Sequence, residues 1–361
     1  MSASPTIFDP VDFASLTLPN RMFMAPMTRG RARPDGVPQE PMPEYYRQRA
    51  GAGLIITEAT AVSPQGVGWV NAPGIFSDAQ EAGWRAVTEA VHAAGGRIVL
   101  QLWHMGRVSH PDFHEGALPV GPSAIAADGY THTPQGKQDY VTPRALDAEE
   151  LPGIAADYAA AARRAIAAGF DAVEIHGANG YLIDQFIRDG ANRRTDAFGG
   201  SIENRWRFPL MVARAVADAV GAERTGIRLS PTGDYNGMSD SDPAASYAYG
   251  SARLSELGLL YVHVVEPVGE AQTNGAGDPR IHPRIRAAFD GRLILNGGYD
   301  VDSANAALAS GEADAIAFGV KFLANPDLPA RFADGADLNA PDFGTLYTPG
   351  AKGYVDYPAL S

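Results

Sequence analysis

The feature that most constrains the fold is a recurrence: eight short β-rich apolar runs, each followed by a polar or Gly-rich turn and a helical pattern. The runs are Met22–Pro26, Leu54–Glu58, Arg97–Leu102, Ala172–His176, Gly226–Leu229, Tyr261–Val265, Leu293–Asn296 and Ala315–Phe318. Alternation of this kind signals parallel βα units. Between runs the spacing is helical. Trp84, Val87, Val91 and Ala94 recur before the third run, and Phe208, Met211, Val212, Ala215, Val216 and Ala219 before the fifth. Each stripe is placed to bury against a sheet. Gly95 and Gly169 each follow a pair of alanines, where glycine can take the left-handed conformation that closes a helix. Eight such units without a linker predict a single (β/α)8 TIM barrel over 1–361 rather than an open doubly wound sheet. Two segments stand outside the rhythm. Residues 1–20 alternate like an N-terminal β-hairpin set to plug the barrel's bottom. Residues 104–146, rich in Gly, Pro and His, form a capping insertion after strand 3.

Charge and composition narrow the partner. A formal net charge of −13 without a sustained Lys/Arg run argues against nucleic acid and against an anionic membrane surface, which both need a positive face. A small molecule is the expected partner, with assembly open between monomer and homodimer. The absence of cysteine excludes disulfides, thiolate nucleophiles and Cys-ligated metal centres. With no basic, apolar leader and no apolar run of about 18 residues, the expected location is cytoplasmic.

Barrel enzymes build their sites from residues at the C-terminal ends of strands. Those ends are polar here: Ala25–Arg29, Thr57–Thr60, Gln101–His104, His176–Tyr181, Arg228–Pro231, Val265–Pro267, Asn296–Gly298 and Phe318–Lys321. Gly297, Gly298 and Gly319 suit a phosphate cradle, and equally suit ordinary turns. The densest cluster is His176, Asn179 and Tyr181. His and Asn offer two neutral donors that polarise a carbonyl oxygen, and a neighbouring tyrosine hydroxyl can deliver a proton. A single histidine here reads as a satisfied structural residue; three such groups within six residues read as an electrophile-plus-acid site. The rival is a metallohydrolase built on His104, His110 and His114. Gly106 and Pro111 break the helix that would align them, and no HExxH-type motif occurs, so no metal is expected.

Six motifs occur in order: Met24–Arg31, Thr57–Thr60, Gln101–His104, His176–Leu182, Arg194–Arg205 and Ala324–Leu328. Together they resemble the Old Yellow Enzyme family of FMN-dependent ene-reductases, over nearly the whole chain from Phe8 to the tail Gly353–Pro358. The resemblance implies FMN across the barrel mouth, with Pro26, Met27 and Ala59 against the isoalloxazine and Thr28 near its C4 carbonyl. Gln101 would read the pyrimidine edge, and Arg228 would neutralise charge developing at N1 and the C2 oxygen. His176 would serve cofactor and substrate alike, while Asn296, Gly297, Gly298, Gly319 and Val320 would flank the phosphate. NADPH or NADH would supply hydride. An electron-poor alkene, conjugated to a carbonyl or nitro group, would set its acceptor oxygen on His176 and Asn179 and take hydride from flavin N5. Tyr181 would protonate the opposite face. Nitrate esters and quinones are further acceptors of the same reduced flavin. Trp69, Trp103 and Tyr347 match pocket aromatics, Trp69 standing where a tyrosine is frequent. The clearest departure is Phe318-Gly319-Val320-Lys321, where members usually carry Arg after the glycine, so a charge-assisted phosphate contact is missing. Lys321, one residue on, is expected to point elsewhere. The alternative within this frame is a non-catalytic flavin carrier, against which the presence of His176, Asn179 and Tyr181 speaks.

Overall fold

The computed structural model describes residues 4–14, 16–266 and 280–360. Residues 1–3 of the hairpin segment, and Pro267 at the end of the sixth strand, lie outside the described residues. An antiparallel hairpin, β1 (Val11–Phe13) and β2 (Leu16–Leu18), precedes the barrel. The barrel strands are β3 (Met22–Met24), β4 (Leu54–Ile56), β6 (Ile98–Trp103) and β11 (Ala172–Gly177), followed by β12 (Thr225–Leu229), β13 (Tyr261–Val265), β14 (Arg292–Asn296) and β15 (Ala315–Phe318). Short β5 (Thr60–Ala61) extends the end of β6. Every neighbouring pair is parallel, and β15 returns to pair with β3, which closes the ring. The eight runs read from the sequence are the eight barrel strands.

Helices α1 (Met42–Arg47), α2 (Asp78–Ala93), α3 (Leu151–Ala167), α4 (Leu182–Ile187) and α5 (Ile202–Val220) cover the first half of the ring. They are joined by α6 (Pro243–Glu256), α7 (His282–Ala288), α8 (Val301–Ser310), α9 (Val320–Ala324) and α10 (Leu328–Asp334). Helix α2 starts at a capping box in which Ser77 and Gln80 satisfy each other's backbone N–H groups. Gly95 and Gly169 do follow helix ends with positive φ, at 82° and 97°. The α2 stripe is shorter than the sequence pattern indicates: Trp84, Val87 and Val91 are buried, whereas Ala94 caps the helix and is exposed. The helix ends at Ala93, and the cap conformation of Ala94 carries it off the buried face.

Strands buried on both faces divide the apolar residues into two sets. Outward-facing Ile55, Leu100, Val173, Ile175, Ile227, Val262 and Ile316 join the helix stripes in one cluster. Inward-facing Phe23, Leu54, Val99, Ala172, Tyr261, Ile294 and Ala315 fill the lumen together with Val11, Phe13 and Leu18 of the hairpin. Phe13 meets Phe23 and Tyr261 edge-on, with ring centroids 5.2 and 6.2 Å apart. The hairpin therefore plugs the bottom, because the lumen there would otherwise open to water. Residues 104–146 hold β7 (Val120–Gly121), paired with β10 (Arg144–Ala145), and the antiparallel ribbon of β8 (Tyr130–Thr133) and β9 (Gly136–Asp139). Buried Arg107 clamps this insertion to the loop after β12, donating to the carbonyls of Ile125, Asn236 and Gly237.

One position shows how tightly the lumen is filled. A Cβ on Gly226 would come within 2.4 Å of the Tyr261 ring, and neither group can retreat between paired strands. Gly226→Ala is expected to lower stability by about 1–3 kcal/mol through overpacking, read as a lower urea midpoint than that of the unsubstituted protein.

Candidate active site

Successive lumen-facing residues lie two apart on each strand, so composition along the lumen reads as layers. Above the apolar plug comes a polar layer of Gln101, Glu174 and His263, all buried. The next layer up carries Trp103, His176 and Arg228, and opens into a cleft of about 420 Å³. Pro26, Met27, Thr28 and Ala59 form one apolar side of it, and Gln101 and Arg228 reach it from below. Trp69, Trp103, His176, Asn179, Tyr181, Tyr347 and Val320 complete the group of sequence-selected residues that line it.

The loop after β11 is built to hold its donors. Asn179 has φ +58°, the left-handed region that asparagine tolerates better than most residues. Its backbone is fixed from both sides: the N–H donates to the Ser230 hydroxyl at 2.7 Å, and the carbonyl accepts from the Asn236 amide at 2.8 Å. Buried Asp184 accepts from the Gly180 N–H at 2.8 Å and from the Tyr247 hydroxyl at 3.0 Å. The Asn179 side chain is thus aimed by backbone held elsewhere. The Tyr181 ring stands edge-on to both Trp103 and His176, with centroids 4.9 Å apart in each case. Burial holds the His176 imidazole well below its ordinary pKa, with the Arg228 charge adding to the effect. It is a neutral ring whose Nδ1 is buried without a protein partner. Burial raises the Tyr181 hydroxyl far above its ordinary range, so it is a phenol, not a phenolate, and carries a proton.

Beneath the cleft, Arg228 donates to the Asn296 side-chain oxygen at 2.7 Å, while its Nε is buried without a partner. Asn296 in turn donates to the Ala317 carbonyl at 2.7 Å, linking the ends of β14 and β15. A buried guanidinium with a donor to spare below an apolar ledge suits a flat heteroaromatic ring that gains negative charge. Asn296, Gly297, Gly298 and Gly319 are not among the residues lining the cleft; they stand at the ends of β14 and β15, where Gly297 and Gly298 turn with φ of 142° and 98°. Val320 is half exposed there, and Lys321 is turned away from the cleft lining to donate to the Tyr299 carbonyl at 2.7 Å.

Several contributors escaped the sequence reading. Tyr235, Leu323, Phe343 and Leu346 also line the cleft. Phe343, Leu346 and Tyr347 belong to a tail that folds back across the barrel mouth because buried arginines hold it. Arg31 donates to the carbonyls of Thr345, Leu346, Gly350 and Lys352, and Arg29 to those of Leu346 and Gly353. Buried Glu58 secures the other side of this clamp, accepting the N–H groups of Arg29 and Gly30 at 3.0 Å each. Glu174 and His263 carried a legible signal: a polar residue inside an apolar run, in phase with a strand-end residue on the same or a neighbouring strand. The tail residues carried none, since nothing local says where a distant loop docks. The three histidines of the insertion are separately engaged, His104 accepting from the Gly106 N–H, His110 from the Asp112 N–H and His114 lying against the Ser109 hydroxyl. Among the described residues no three His, Cys, Asp or Glu side chains are grouped to hold a metal ion, and no helix is long and apolar enough to cross a membrane.

A closed barrel with its polar side chains gathered at the C-terminal mouth has the site placement of a barrel enzyme. Residues 6–339 match the NADH:flavin oxidoreductase / NADH oxidase family. Chanoclavine-I aldehyde reductase of Penicillium roqueforti is 45% identical, with 97% of this chain and 95% of the relative aligned. 12-oxophytodienoate reductase 1 of Oryza sativa is 44% identical over 99% of this chain and 94% of the relative. Among solved structures, the old yellow enzyme homologue from Zymomonas mobilis superposes with a TM-score of 0.96, at 49% identity, covering 99% of this chain and all (100%) of the other. Morphinone reductase in complex with tetrahydroNAD gives a TM-score of 0.93 at 51% identity, covering 99% and 98%. The chain belongs to this family, the Old Yellow Enzyme family of flavin oxidoreductases, and FMN is its cofactor.

Two outcomes follow from the geometry. Arg31→Ala removes one donor from each of four tail carbonyls and leaves Arg29 as the only arginine holding the tail, so limited proteolysis is expected to cut within residues 343–353 faster than in the parent protein while the barrel survives. Burial lowers His104 to about 3 and also holds His176 and His263 below their ordinary 6.5. Below about pH 6.5 the unfolded chain binds protons that the native imidazoles refuse, so stability falls as pH drops from there toward the folded values. Urea midpoints measured across that interval should decline with acidity, and His176→Asn should flatten the decline.

Proposed function

We propose that the chain reduces carbon–carbon double bonds activated by a carbonyl or nitro group, with NADPH or NADH as electron source. The observation that carries this reading is a pair of free donors, the neutral His176 ring and the Asn179 amide, facing one cleft beside a protonated tyrosine. FMN, when bound, relays two electrons as hydride from the nicotinamide to the alkene β-carbon. Pro26, Met27 and Ala59 would form the ledge on which its ring lies, with Thr28 at one edge, Gln101 at the pyrimidine side and Arg228 countering charge. The strand-end residues Asn296, Gly297, Gly298, Gly319 and Val320 would border its phosphate.

The substrate's acceptor oxygen would take hydrogen bonds from His176 and Asn179. Because both donors are neutral and already oriented, they favour the enolate-like charge that builds on that oxygen without setting a second cation beside Arg228 or reorganising first. Tyr181 would then give its proton to the α-carbon, its raised pKa ensuring that the proton is present at neutral pH. Trp69, Trp103 and Tyr347 would flank the alkene and exclude water. Relatives named as an aldehyde reductase, 12-oxophytodienoate reductases and an alkene reductase support a small-molecule substrate of this kind. Nitro compounds, nitrate esters and quinones could accept the same electrons without needing Tyr181.

The test is an anaerobic titration of the FMN-loaded protein with NADPH or NADH, followed by 2-cyclohexenone. Bleaching by the nicotinamide and recovery with the enone is expected. In Tyr181→Phe the recovery step should slow by about 10²-fold or more, while bleaching stays within a few-fold of the parent. A reduced protein that the enone never reoxidises would sink the proposal.

A further inference from the structure

Glu174 is unexplained by everything above. It sits on β11 two residues below His176, fully buried, and faces the same lumen. Its Oε1 accepts from the Gln101 amide at 2.7 Å and its Oε2 faces His263 Nδ1 at 2.9 Å. A carboxylate can only accept, so His263 carries its proton on Nδ1, and burial keeps the ring neutral against the pull of the Glu174 charge. The polar groups against the carboxylate, the Tyr261 hydroxyl among them, are therefore uncharged. A buried carboxylate held only by neutral groups is costly, and a glutamine of the same shape would fill the space without that cost. Packing does not account for the charge.

Two neighbouring groups do. The first is Arg228, buried on the neighbouring strand, which makes no direct ion pair with Glu174 yet feels its charge across the lumen. The second is the orientation of Gln101. An amide can present either end to the cleft, and a carboxylate beside it accepts only from the NH₂ end. With Glu174 in place the Gln101 amide has one orientation, and the polar floor below the cleft carries one negative and one positive charge.

We propose that Glu174 is a positioning residue for the flavin end of the cleft, orienting the Gln101 amide so that it holds the bound cofactor and offsetting the Arg228 charge so as to set the cofactor's reduction potential. This rests on the placement of FMN over Gln101 and Arg228 given under the proposed function. Glu174→Gln keeps the shape, removes the negative charge and lets Gln101 adopt either orientation. Glu174→Asp keeps the charge but withdraws it from Gln101.

The experiment is a dye-referenced potentiometric titration of each FMN-loaded protein with dithionite, with the FMN dissociation constant measured by fluorescence alongside. Glu174→Gln is expected to shift the midpoint potential upward, since electron uptake is no longer opposed by the carboxylate. Glu174→Asp is expected to keep the parent midpoint and hold FMN about 10-fold more weakly, a size in line with loss of one braced hydrogen bond. A folded, FMN-loaded Glu174→Gln protein with the parent midpoint overturns the proposal. Should that variant fail to fold, Glu174→Asp decides alone: an upward shift, or FMN held as tightly as in the parent, overturns it. A parent protein that takes up no FMN refutes the cofactor placement first, and is seen before any variant is compared.

Discussion

A closed parallel barrel has a lumen that no helix can reach, and side chains from the strands alone must fill it. Everything at the cleft depends on how they do so. Below, Phe23, Leu54, Val99, Tyr261 and Ile294 meet the hairpin's Val11, Phe13 and Leu18 in a dry plug. One step up the same strand faces, Gln101, Glu174 and His263 form a hydrogen-bonded layer; another step brings His176 and Arg228. The plug keeps water from entering beneath the polar layers, so their charges act in a medium of low polarisability, where a buried guanidinium or a neutral imidazole has its greatest effect. Chemistry at the mouth and packing at the bottom are one construction.

The donors at the mouth are held by backbone fixed from outside the cleft. Ser230 and Asn236 pin Asn179 in a left-handed turn, Asp184 braces the glycine after it, and Glu58 locks the loop that carries Thr28. Preorganisation of this kind means that no side chain must move when charge develops on a substrate oxygen. It also explains why the motif residues come with partners in other loops and on α4, residues that do not line the cleft.

The barrel was legible because its signal is local and repeated: each strand is an apolar run of fixed length, and each helix a stripe at fixed spacing. Strand-end residues such as Gln101, His176 and Arg228 were legible for the same reason, since the fold says where to look. Glu174 and His263 were passed over although period two places Glu174 in phase with His176, and His263 in register with Arg228. Tyr235 and Leu346 were out of reach of any local reading. The first rides on a loop clamped by Arg107, the second on a tail clamped by Arg29 and Arg31, and both clamps pair groups more than a hundred residues apart. Lys321 met the expectation that it would point elsewhere, taking the Tyr299 carbonyl, and Val320 leaves the cleft's edge without a charge there.

The tail clamp has a consequence for how the protein is made. Arg29 lies near the start of the barrel, yet its partners Leu346 and Gly353 are 317 and 324 residues further along. During synthesis the arginines emerge first and keep water as their partner until the distant tail carbonyls replace it. One wall of the cleft, that of Phe343, Leu346 and Tyr347, is therefore missing until this tail has been made and docked. A barrel whose tail has not yet docked has an open mouth, and seating residues 345–353 on the two arginines is a physical requirement of the site.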